Sequence, residues 1–198
     1  LFPDTYEVPD GVTVQSMVKT ISAQFTAVTN KLDFYNAAQS LDFGPQYKNP
    51  TPADKAYMAL IVASIIEREV SRAEDRPKVA RVIYNRLAKG MPLQMDSTTA
   101  YAAKKTDSIW TSDEERKSTS AYNTYTAKAL PPTPISAPGE AALSAAINPE
   151  AGDWLYFTAV NLETGETAFN SDPAAHQQAV AQLQAWCSAS PDNKKFCP

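Results

Sequence analysis

The stretch TPADKAYMALIVASIIERE, residues 51–69, decides how the rest of the chain is read. Thr51 offers a hydroxyl to unpaired backbone N–H groups, Pro52 suits a first helical position, and Asp54 completes a capping box, so a helix begins here. Met58, Leu60, Ile61, Val62, Ile65 and Ile66 then cover most of its circumference, which marks a helix surrounded by protein. Two carboxylates, Glu67 and Glu69, close this apolar element. At about 100° per residue they point about 200° apart, too far to act as a close acid pair. Glu69 lies over Ile66, Ile65 and Val62, and Glu67 over Ser64, Ala63 and Leu60. The more apolar neighbours desolvate Glu69 and raise its pKa, the condition of a general acid working near neutrality. The competing reading is that both acids are solvated helix ends, paired with Arg68 or Arg72.

Upstream, residues 1–9 read as extended, and Val14, Met17, Val18, Ile21, Phe25 and Val28 draw one apolar helical stripe that should face a core. Downstream, a helix is expected over 77–89, capped by Asp75 and ended by Gly90, then a short helix over 97–104 and a turn near 113–117. Prolines 131, 132, 134 and 138 make 122–139 a stiff, extended loop. An Ala-rich helix over 139–147, a hairpin of 154–160 with 166–170, and a last helix opened by Asp172-Pro173 complete a mostly helical α+β chain.

Composition removes several chemistries. A single His, His176, and two Cys allow neither a two-His nor a four-Cys zinc site. The six Gly form neither GxGxxG nor a phosphate-cradling loop, so no metal and no cofactor is expected. A net charge of -4 argues against a nucleic-acid partner. The longest apolar-and-small run, 56–66, spans about half the roughly 20 residues of a membrane helix. No signal pattern opens the chain at Leu1, so it is expected to be the mature or excised portion of a longer product. Cys187 and Cys197 flank a turn at Pro191-Asp192-Asn193 and are read as a disulfide of an exported protein, the alternative being two free thiols on a frayed tail.

Beyond Glu69, four groups of residues carry candidate chemistry. Gln94 is suited to orient a sugar hydroxyl or N-acetyl group, while Asp96 is either a second functional carboxylate or a helix cap. Tyr122, Asn123, Thr124 and Tyr125 offer aromatic faces and an amide for a pyranose, or else pack in the core. His176 is either a proton shuttle or a packing residue. Glu67 is a possible supporting acid.

Seven stretches in fixed order, LFPDTY (1–6), ASIIERE (63–69), VIYNRL (82–87), GMPLQMD (90–96), AYNTY (121–125), LPPTPI (130–135) and LYF (155–157), resemble those of the MltG-like (YceG-like) endolytic murein transglycosylases. The resemblance implies a lysozyme-like catalytic domain over 1–180, with 181–198 a helix end and disulfide-closed tail. It implies cleavage of the bond between N-acetylmuramic acid and N-acetylglucosamine in peptidoglycan strands, leaving 1,6-anhydro ends. Glu69 matches the catalytic acid, and Gln94, Asp96 and Tyr122 to Tyr125 fall in motifs expected to bind the glycan. Cell-wall synthases are implied as partners, at the extracytoplasmic face of a bacterial membrane, with a single-pass anchor upstream of Leu1. Three positions depart from the pattern: Val70 replaces Ser or Thr, Ser97 replaces Pro, and Ala129 replaces Gly. Two other readings stay open, a muramidase pairing Glu69 with Asp96 and a glycan-binding module without catalysis.

Overall fold

The helix expected from the capping box forms as read. In the computed structural model, which describes residues 1–105 and 111–197, α3 (Pro52–Glu69) is opened by reciprocal Thr51 and Asp54 bonds to backbone N–H groups. Ile61, Val62, Ile65 and Ile66 are almost wholly buried. Around them lie α4 (Arg76–Ala88), through Val79, Ile83 and Leu87, and α6 (Glu140–Ile147), through Ala142, Leu143 and Ala146. The small side chains of α6 let its backbone approach α3 closely, so α3 becomes the axis of the core. The proline-stiffened segment is fastened along α3, with the Ile135 N–H donating to Ser64 Oγ at 3.0 Å and Ser136 Oγ donating to the Ser64 carbonyl at 2.8 Å.

Two expectations fail here. The stripe on α1 (Val14–Lys31) faces the core only at its C-terminal end: Phe25 and Val28 reach it, whereas Val14 is 82% and Val18 46% exposed. The helix meets its neighbours near α2 (Phe34–Ala37) and projects beyond them. Asp75 precedes α4 but caps nothing with its side chain. A tight 3-10 turn over Ala73–Asp75 runs straight into the helix, so its backbone is already helical and its buried carboxylate turns toward Arg72 instead. Gly90 does end α4, at φ +62°.

β1 (Tyr156–Asn161) and β2 (Glu166–Asn170) pair antiparallel, with Tyr156 opposite Asn170 and an irregularity between Ala159 and Asn161. Against this hairpin packs α7 (Pro173–Ala189), capped by the Asp172 carboxylate on the N–H groups of Ala174 and Ala175. The boundary expected at 180/181 lies within α7, which continues unbroken to Ala189. After it, α8 (Pro191–Lys194) returns the chain so that Cys197 bonds Cys187, with Trp186 beside Phe196. Closing this short ring contributes about 2–3 kcal/mol by the chain-entropy estimate. Cys197→Ser is therefore expected to lower the melting temperature by several degrees while leaving turnover unchanged; a loss of turnover at a temperature where the variant is folded would show that the tail supports the site. No helix among the described residues is long and apolar enough to cross a membrane.

Candidate active site

Glu69 is the last residue of α3, and α5 (Asp96–Ala102) begins against it. The Ser97 hydroxyl donates to Glu69 Oε1 at 2.5 Å, and the Ser97 N–H reaches the same oxygen at 3.3 Å. Burial is the largest influence on the Glu69 carboxyl and pushes its pKa up to about 7; the Ser97 hydroxyl opposes this, Asp96 adds to it, and the Ser97 N–H and Arg68 oppose it. The desolvation expected of Glu69 is present, and a neighbouring carboxylate that periodicity does not reveal adds to its effect. Glu67 points elsewhere. Its Oε2 accepts from the Gly139 N–H at 3.1 Å and its Oε1 lies 3.7 Å from Arg76, so it ties α3 to the start of α6.

Asp96 is not the cap of α5. Met95 occupies the cap position, and Asp96, as the first helical residue, directs its carboxylate sideways. Oδ1 accepts from the Tyr125 hydroxyl at 2.8 Å, from Thr111 Oγ1 and from Arg116 Nε at 3.2 Å, while Oδ2 accepts from Arg116 Nη2 at 3.2 Å. The Arg116 guanidinium also lies 5.1 Å over the Tyr125 ring. Burial and the nearby Asp96 charge hold the Tyr125 hydroxyl above the usual phenol range, so it stays a proton donor. Removing it in Tyr125→Phe leaves Asp96 with Arg116 and Thr111. The expected outcome is a melting temperature within a few degrees of the native protein and turnover about tenfold lower, corresponding to one charge-assisted hydrogen bond. Parallel measurement of both checks this; a large fall in melting temperature with normal turnover would make Tyr125 a purely structural residue.

Asn123 and Thr124, expected to touch the glycan, are fully buried. Asn123 Nδ2 donates to the carbonyls of Arg116 at 2.9 Å and Ser118 at 2.8 Å, and its Oδ1 accepts from Thr99 Oγ1 at 3.2 Å and the Tyr125 N–H at 3.1 Å. The Thr124 carbonyl accepts from the Gln94 N–H at 2.9 Å and Thr124 Oγ1 accepts from the Met95 N–H at 3.0 Å. Both residues are internal struts: the Asn123 amide serves buried carbonyls of its own segment, and Thr124 joins that segment to the Gln94–Met95 loop, so these backbone groups are not left buried without partners. Tyr122 also turns inward, its ring 5.0 Å from Tyr101 and its hydroxyl bonded to Thr133 at 2.7 Å.

Gln94 keeps an exposed side chain on a left-handed backbone, φ +54°, held by that Thr124 bond. Its Oε1 accepts from Arg86 Nη1 at 3.2 Å. Arg86, buried on α4, also donates to the carbonyls of Leu93 at 2.7 Å and Leu155 at 2.6 Å, locking the Gln94 loop to the strand region. Neither Arg86 nor Ser97 stands out in the sequence as a site residue. The signal for Arg86 was present, since it follows Val82 and Ile83 on the inward face of α4. His176 stacks on Tyr156 at 5.1 Å, and Tyr156 in turn lies under Arg86; its Nδ1 is buried without a partner among the described residues. Burial and Arg86 lower its pKa, and it makes no contact with Glu69 that would suit a proton shuttle there.

Glu69, Ser97, Asp96 and Tyr125 are therefore gathered into one place by α3, the start of α5 and the loop before the prolines, while Gln94 is tied to that loop through Thr124 and to α4 through Arg86. Such a site holds one carboxyl able to exchange a proton near neutrality and one carboxylate already occupied.

The YceG-like family model matches residues 1–182. An endolytic murein transglycosylase of Bacillus subtilis (strain 168) is 37% identical over 180 residues, 90% of this chain and 46% of that protein. One of Streptococcus pneumoniae serotype 2 (strain D39 / NCTC 7466) is 31% identical over 186 residues, 92% of this chain and 31% of that protein. The crystal structure of a YceG-like protein from Listeria monocytogenes superposes with a TM-score of 0.71 at 32% identity, covering 88% of this chain and 52% of that one. The chain thus spans half or less of the length of these curated relatives.

Proposed function

Because the chain belongs to the YceG-like family, we propose that residues 1–180 form the catalytic part of an endolytic peptidoglycan transglycosylase, with Glu69 as its acid and base. The observation that carries this reading is the division of labour between two adjacent carboxyl groups. Glu69 has its proton affinity raised to about 7, whereas Asp96 is engaged by Arg116, Thr111 and Tyr125. A two-carboxylate hydrolase needs its second carboxylate free to attack the sugar or activate water. A transglycosylase needs one group that gives a proton and then takes one.

Glu69 protonates the glycosidic oxygen between N-acetylmuramic acid and N-acetylglucosamine, and the bond from that oxygen to C1 breaks. The resulting carboxylate accepts the proton of the muramic 6-hydroxyl, whose oxygen bonds to C1. A 1,6-anhydro ring forms, the acid is regenerated and no water is consumed. Gln94 and Tyr125 present polar groups to the sugar, and Asn123 and Thr124 hold them in place. Substrate of this kind puts the protein at the extracytoplasmic face of the membrane, within reach of cell-wall synthases, and the 181–198 disulfide tail suits that oxidising setting.

Mass analysis of glycan strands digested by the purified protein tests the proposal. Anhydro-muramic ends are expected. Reducing ends would replace it with a muramidase, and intact strands that nevertheless bind would leave a glycan-binding module.

A further inference from the structure

Ser97 directs two donors, its hydroxyl and its N–H, at one oxygen of the Glu69 carboxyl. It is nearly buried, at 5% exposure, so these bonds do not compete freely with water. Among the described residues no group donates to Glu69 Oε2. We propose that Ser97 is a positioning residue for Glu69, filling Oε1 with donors so that the proton of the acid is carried on Oε2, the oxygen left to face a substrate. The proposal rests on the reading of Glu69 as the acid.

In water the two oxygens of a carboxyl group share its proton equally. Here a proton on Oε1 would confront a backbone N–H that cannot turn away, because a peptide N–H is a fixed donor. The neutral acid therefore keeps Oε1 as its carbonyl oxygen and Oε2 as its hydroxyl. The same two donors favour the ionised form and restrain the rise that burial causes. The other charged and titratable groups facing the carboxyl are Asp96 on α5, which favours protonation, Arg68 on α3, which opposes it, and Tyr125, whose own pKa the Glu69 charge helps to raise. Arg116 reaches Glu69 only through its pairing with Asp96. Among the described residues, Ser97 alone hydrogen-bonds the carboxyl. Its position in the chain is not self-evident as a site, since it reads as an ordinary first-turn helix residue.

Glu69 can be titrated without any substrate. Protein labelled with 13C at glutamate side-chain carboxyl carbons gives a Glu69 signal identified by its absence in Glu69→Gln. In Ser97→Ala the hydroxyl donor is lost, and the Glu69 pKa is expected to rise by about one unit, the equivalent of one charge-assisted hydrogen bond. The alkaline limb of kcat/KM on glycan should move up with it. Ser97→Thr restores the donor and should return both to native values, while Ser97→Cys, a weaker donor of similar size, should fall between. A Glu69 titration unchanged in Ser97→Ala, or one that Ser97→Thr fails to restore, would overturn the assignment. A titration that moves as expected while no variant, native protein included, cleaves glycan supports the assignment of Ser97 and overturns the transglycosylase reading.

Discussion

Glu69→Gln is expected to lower glycan cleavage by about 10²- to 10⁴-fold, the range for removing a positioned acid and base. The amide has the size of the carboxyl and still offers an oxygen to the Ser97 donors, so the fold and glycan binding should persist. The same pKa makes two pH-dependent statements. Cleavage by the native protein should fall as the pH rises through about 7, because the general acid is then ionised. Stability follows from linkage. The folded carboxyl holds its proton more tightly than the unfolded one, so its contribution is fully present below about pH 4.5 and lost as the pH rises through about 7. Glu69→Gln, which cannot ionise, should therefore melt higher than the native protein at pH 8 while being inactive. Glu67→Gln is the control: its carboxyl joins Gly139 and Arg76, so most activity should remain. Inactivity of Glu67→Gln with retained activity of Glu69→Gln would reverse the assignment.

Asn123→Ala should lose about 3 kcal/mol, or about 6–12 °C in melting temperature for a domain of this size. The amide lies in the interior and serves both sides of it: two carbonyls, of Arg116 and Ser118, lose their donor, and the Thr99 hydroxyl and Tyr125 N–H lose their acceptor. Asn123→Asp should be worse than alanine at neutral pH, because it places acceptor oxygens against those carbonyls and buries a charge. Thermal denaturation followed by circular dichroism distinguishes the variants. Turnover of the folded fraction should also drop, since Arg116 and Tyr125 both depend on this strut to hold Asp96. Native stability with lost glycan binding would mean that Asn123 contacts the sugar after all.

The contrast between Asn123 and Glu69 shows how far the chain could be read unaided. Helix α3, its capping box, the opposite facing of Glu67 and Glu69, and the apolar bed beneath Glu69 all follow from spacing along one segment, because helix geometry is local and repeats every 3.6 residues. The caps at Asp172 and the stop at Gly90 are legible for the same reason. The position of Ser97 against Glu69, the capture of Asp96 by Arg116, and the inward turn of Asn123 and Thr124 are not. Each depends on which of several polar partners, 28, 20 and 7 residues away along the chain for Ser97–Glu69, Arg116–Asp96 and Asn123–Arg116, completes a buried hydrogen-bond set, and a short polar side chain carries the same sequence signature whether it meets solvent, sugar or a neighbouring carbonyl. Even the α1 stripe has its face set by periodicity and its burial set by where the helix happens to meet its neighbours: Val28 lies within the core and Val14 beyond it. Local periodicity thus determined the facing of Glu69 and the helix that bears it, whereas long-range satisfaction of polar groups decided which residues stand around its carboxyl and which only hold them.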